Sequence, residues 1–181
     1  MRRLAVALLA AALSPAALSA QAASSPAPSP RLGVAAIETN WTVVTGYLTR
    51  AAEQMPEAEY AFKAAPTVRS FGEIIGHVAG SQNMFCAAAL GEKVPAEDEV
   101  EKNVKGKAAL VEALKKSTEY CNRAYAQADA ALGANLTMFG QQMNRMSVLA
   151  MNAVHNGEHY GNLVTYLRIK GMVPPSSQPG Q

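Results

Sequence analysis

Apolar side chains recur with the period of a helix in four stretches of this chain. Ile37, Trp41, Val44 and Leu48 fall at four-three-four spacing, and Met55-Pro56 closes that run. Ser70-Phe71-Gly72-Glu73 has the form of a capping box and opens a second helix. Its stripe is Ile74, Val78, Phe85 and Ala89, and it ends at Leu90-Gly91. Leu110, Leu114, Cys121, Ala124 and Ala128 predict a third helix that stops before Gly133. The fourth is predicted from about Phe139 to Lys170, with Met143, Met146, Ala150, Ala153, Tyr160, Val164 and Leu167 on one side. Gly171 and Pro174-Pro175 end it. No stretch alternates with period two between turn residues, so no sheet is expected. The pattern is that of an all-α protein, a four-helix bundle.

The connections constrain the topology. Gly91 to Lys105 ("GEKVPAEDEVEKNVK") is charged, proline-broken and about 15 residues long. Extended, it spans roughly 50 Å, enough to return along a helix of roughly 30 Å. Helices two and three can therefore run parallel, joined by a crossover. Cys86 and Cys121 then stand at nearly the same height and can form a disulfide. In a simple hairpin they would stand about 16 Å apart along the axis. The alternative for the pair is two small buried hydrophobes.

Chemistry enters with the three histidines of the chain. In "HNGEH", His155 and His159 stand one helical turn apart and can chelate one metal ion. Alone, that spacing equally suits a solvated polar face. His77 lies on the inward side of the second helix, beside Ile74, Val78 and Ser81. An antiparallel fourth helix would bring it to the pair. Three protein ligands with an open position are the arrangement of a catalytic metal. Ser81, Asn152 and Asn162 are the candidate pocket residues around it. Glu158 stands about 60° around the helix from His155, where it could rim the site as a base, or simply face solvent. "HNGEH" also fits the inverted zinc-protease signature, but no Asp or Glu follows Glu158 to supply that family's third ligand. The capping box accounts for Glu73, and packing accounts for Trp41, Tyr47 and the run Met138, Met143, Met146, Met151.

"RSFGEIIGHVAGSQNMFCAAALGE" with "HNGEHYGNLVTYLRIKGMVPP" resembles the DinB-like (YfiT-type) metal-binding four-helix bundles. The resemblance covers roughly residues 32–175. It implies an up-down-down-up bundle that binds a divalent metal, zinc or nickel, through His77, His155 and His159. Members commonly carry Gln where Asn162 stands here, so a contact from that side chain to a ligand is shortened. The family includes thiol-dependent S-transferases, isomerases and proteins proposed to be hydrolases, so the reaction does not transfer with the fold.

The N-terminus changes the setting. Arg2 and Arg3 precede the apolar run Leu4–Leu13, and Ala20-Gln21-Ala22 offers small residues for cleavage. Residues 1–22 thus read as a secretory signal peptide, 23–31 as a flexible linker, 32–175 as the bundle and 176–181 as a disordered tail. The expected location is periplasmic or secreted, with no stable membrane anchor after cleavage. Without Arg2 and Arg3, the 16 Lys+Arg become 14, against 14 Asp+Glu. Such scattered, balanced charge excludes the footprint of a nucleic-acid binder. Export also favours a disulfide, and it leads away from the cytosolic thiols used in the family and towards hydrolysis. Two readings follow: an exported metal-dependent hydrolase or transferase of a small molecule, or a non-catalytic metal-binding or interaction domain, a possible homodimer, in which metal only locks two helices.

Overall fold

The computed structural model describes residues 31–179, so the predicted signal peptide and all but the last residue of the predicted linker lie outside the described residues. Helix α1 (Leu32–Gln54) ends where Pro56 forces Met55 into an extended conformation. Helix α2 (Phe71–Leu90) starts at the predicted capping box, with Glu73 N–H donating to Ser70 Oγ and Ser70 N–H to the Glu73 carboxylate. It stops at Gly91, whose φ of 74° is a left-handed conformation that glycine adopts without a Cβ penalty. A short helix α3 (Glu99–Asn103) lies within the connection to α4 (Lys107–Tyr125). The turn α5 (Asp129–Leu132), the hairpin β1 (Asn135–Met138) and β2 (Gln141–Asn144), and the long α6 (Arg145–Ile169) complete the chain. Among the described residues, no helix is long and apolar enough to cross a membrane.

The up-down-down-up arrangement is present. Parallel α2 and α4 are joined at matched heights by Ser117 Oγ donating to Gln82 Oε1 (2.6 Å) and by the Cys86–Cys121 disulfide (Cα–Cα 5.3 Å). Antiparallel α2 and α6 are joined by Gln82 Nε2 donating to Asn156 Oδ1 (2.8 Å). Two apolar clusters fill the bundle, one around Leu48, Phe71, Ile75 and Leu163, the other around Trp41, Phe85, Tyr125 and Leu149. Buried Gln82, Ser117, Asn152 and Asn156 run through this apolar interior, and each has a hydrogen-bond partner. A satisfied polar network of this kind penalises every helix register but one, because a slip would strand its members without partners.

The crossover does more than connect. It lies directly on α2, over glycines spaced four apart. A Cβ on Gly80 would stand 2.0 Å from the Glu97 carbonyl oxygen, and one on Gly76 would stand 2.9 Å from Glu101 Cα. Backbone-to-backbone contact of this kind needs residues without side chains.

Three expectations need correction. The fourth helix begins at Arg145 rather than Phe139, because residues 135–144 form a hairpin where no sheet was expected. Its two-residue turn uses Phe139 (φ 51°) and Gly140 (φ 74°), the positive angles that suit the twist of paired strands. The third helix ends at Tyr125, short of Ala128. The chain turns there so that the Asp129 carboxylate can accept from the Gly33 and Val34 N–H groups at the start of α1. The C-terminal segment is ordered over Pro175–Ser177, where Ser176 N–H donates to Tyr160 Oη at 2.8 Å.

Gly80→Ala is expected to lower the unfolding free energy by about 1–3 kcal/mol, since the added methyl overlaps backbone that cannot swing away. Gly161→Ala, which meets nothing within 4 Å, is expected to raise it by about 0.5–1 kcal/mol through helix propensity. Urea denaturation of both variants checks the pair. Native stability in Gly80→Ala would contradict the packing.

Candidate metal centre

The antiparallel pairing of α2 and α6 brings all three histidines together. His77 from α2 and His159 from α6 are buried, and His155 is partly buried. His77 Nε2 lies 3.1 Å from His155 Nε2, and His159 Nε2 lies 3.0 Å from the same atom. One ligand atom from each ring falls within 4.8 Å of the others. Burial pushes the pKa of His77 and His155 below the ordinary imidazole value. His159 is pushed down to about 3, first by burial and then by the charges of its two partners. All three rings are therefore neutral at pH 7.

Neutral rings in this arrangement cannot satisfy one another. His155 Nε2 carries either one lone pair or one N–H, so it makes at most one good hydrogen bond to the two nitrogens that face it. The buried Nδ1 atoms of His77 and His155 have no hydrogen-bond partner either. A cation that accepts all three Nε2 lone pairs removes the conflict at the centre. Nitrogens bound to one zinc-like ion at about 2.0–2.1 Å stand roughly 3.0–3.4 Å apart, which matches the observed spacings. The donor set fits a divalent metal.

The other candidate residues divide. Asn162 Nδ2 is 3.4 Å from His159 Nδ1, a contact in which the carboxamide N–H donates to the ring nitrogen. Ser81 meets no histidine; its hydroxyl donates to Glu97 Oε1 at 3.0 Å. Asn152 belongs elsewhere. It is fully buried, with Nδ2 3.4 Å from Cys86 Sγ and 3.3 Å from Tyr125 Oη, and it reaches none of the rings. Glu158 is exposed on the wall of a cleft of about 660 Å³, which it shares with His159, Asn162, Arg69 and Tyr166.

Two carboxylates that the sequence reading passed over are nearer to the rings. Glu97 Oε1 is 3.8 Å from His77 Nε2 and 3.9 Å from His155 Nε2. Glu101 Oε2 is 3.6 Å from His77 Nδ1, and the same carboxylate accepts from Arg69 Nε at 3.0 and 3.2 Å. Both come from the crossover. The signal for them was present as Gly72, Gly76 and Gly80, a bare helix face beside His77 against which another segment must pack.

The family model of the DinB superfamily matches residues 40–163. The chain belongs to the DinB superfamily. No curated protein sequence matches it. Among solved structures, this DinB-superfamily chain is similar to a DinB-like protein from Bacillus cereus (18% identity, TM-score 0.67, covering 77% of this chain and 93% of that one). A DinB-like protein from Bacillus subtilis is also similar (22% identity, TM-score 0.63, covering 80% and 99%). So is a mycothiol-dependent maleylpyruvate isomerase (19% identity, TM-score 0.60, covering 72% and 60%). At these identities the likeness bears on fold alone, and the expected family and bundle are both present.

Protein purified without a histidine tag is expected to carry close to one metal equivalent, and His77→Ala less than about a tenth of one, because two ligands remain where three are needed. Elemental analysis checks this. A native protein that stays metal-free after equilibration with zinc and nickel would contradict the assignment.

Proposed function

We propose that this chain is an exported metal-dependent enzyme, a hydrolase or transferase acting on a small molecule. One observation carries the reading: three neutral imidazoles converge beside an open cleft that reaches His159. A structural metal is normally closed off by four protein ligands, whereas a catalytic one keeps a position for a reactant. His77, His155 and His159 would hold a divalent ion, zinc or nickel. When bound, such an ion polarises a substrate oxygen and favours the deprotonated form of a nucleophile.

The protein groups supply the rest. Glu97, oriented by the Ser81 hydroxyl, stands against the Nε2 edge of His77 and His155 and is placed to take up a proton from the nucleophile. Glu101 stands behind His77, 3.6 Å from Nδ1, where its negative charge favours a proton on that nitrogen and so the tautomer that presents Nε2 to the metal. Glu158 lines the same cleft as His159.

Export is supported by the Arg2-Arg3 and Leu4–Leu13 pattern and by the Cys86–Cys121 disulfide, a bond that persists in oxidising compartments. The mycothiol dependence of one structural neighbour suggests a thiol nucleophile, whereas an exported enzyme meets water in place of cytosolic thiols.

Screening ester, amide and thiol-transfer substrates, with and without chelator, tests the proposal. Expected is chelator-sensitive turnover that falls by about 10²-fold or more in Glu97→Gln, with the fold retained. Loss of thermal stability on chelation without turnover of any substrate would select a structural metal instead.

A further inference from the structure

The cleft beside His159 has a second chemical feature, which does not depend on a metal. Arg69 lies on its wall, together with Thr67, Val68 and Ile74. Its position is fixed at both ends. Tyr166 Oη donates to the Arg69 carbonyl oxygen, and Arg69 Nε donates to both oxygens of Glu101. Glu101 is itself held where the crossover backbone rests on Gly76. Among the described residues, the hydrogen bonds of the guanidinium all run through Nε, so its two Nη amino groups have no protein acceptor. The side chain is 44% exposed. Its positive charge also reaches the metal centre, where it is one of the causes that lower the pKa of all three histidines.

A guanidinium fixed along its Nε edge, on a residue that lines a cleft shared with Val68 and Ile74, has the makings of a carboxylate receptor. Two parallel N–H donors match the two oxygens of a carboxylate, and the orienting partner has already met the entropic cost of fixing the side chain. Glu101 does not block this function, because it engages only Nε and leaves the Nη donors for a second carboxylate. Glu158 also lines the cleft and repels a second anionic group near the rings. The cleft therefore suits a ligand that is anionic at the Arg69 end and uncharged where it approaches His159.

We propose that Arg69 is the anchor for a free carboxylate on the substrate, which sets the substrate class as a small acyl compound bearing one carboxylate and, at its other end, an uncharged reactive group. The metal-enzyme reading supplies the reaction at that second end. The anchoring itself rests on Arg69 alone.

The test compares hexanoate with its uncharged counterpart hexanamide on the mature protein as purified and again after chelation, following backbone amide shifts by NMR. Hexanoate is expected to bind in both states and to shift residues 67–74, with hexanamide at least about tenfold weaker. Arg69→Gln should abolish the preference. Arg69→Lys, which keeps the charge but loses the fork, should recover part of it. Equal binding of the two probes by the native protein would overturn the proposal, and this comparison needs no variant to fold. Hexanoate binding that vanishes with chelator and ignores Arg69→Gln would overturn it too, by placing the carboxylate on the metal. Binding that survives chelation in a protein without turnover would uphold the anchor while the enzyme reading failed.

Discussion

Helix α2 is touched on one face by backbone, and the rest of the architecture depends on that contact. Parallel α2 and α4 require the chain to travel back the full length of a helix. The returning segment needs somewhere to lie. Gly76 and Gly80 provide the place, with the Glu97 carbonyl oxygen 2.0 Å from where a Cβ would stand on Gly80. A side chain there would lift the crossover off the helix and take Glu97 and Glu101 away from the histidines. The small residues on α2 thus serve topology and chemistry through one contact: they let the connection pass, and the connection carries the acidic groups of the site.

The remaining order follows from the polar groups that run through the bundle. Gln82 is the joint: it accepts from Ser117 of α4 and donates to Asn156 of α6, so three helices share one register. Asn156 in turn donates to Asn152 Oδ1 at 2.9 Å, and Asn152 reaches the disulfide. A slip of α6 by one turn would break this chain and would also separate His159 from His77. Fold specificity and ligand geometry are therefore held by the same seam.

Much of this was legible in the sequence, and what was missed has physical causes. The four main helices, the crossover, the cysteine pair and the meeting of His77 with His155 and His159 all follow from periodicity, helix ends and matched heights, which depend on local spacing. The hairpin was hidden because Met143 fits a helical stripe as well as a strand, and because Phe139-Gly140 is not one of the familiar dipeptides of a two-residue turn. Asn152 shares a helical sector with the histidines, but it stands level with Cys86, which lies about two and a half turns along α2 from His77. Glu97 and Glu101 sit in a segment with no periodicity, where nothing local says which of its many carboxylates turns inward. Only the contact with the glycines decides that, and it is tertiary.

The central claim is that two helices from opposite halves of the chain share one ion through three Nε2 atoms. X-ray absorption at the metal edge of the zinc-loaded protein tests it most directly. The account predicts about three imidazole nitrogens in the inner shell of the native protein and about two in His77→Ala. A shell without imidazole scattering, or one that His77→Ala leaves unchanged, would contradict it.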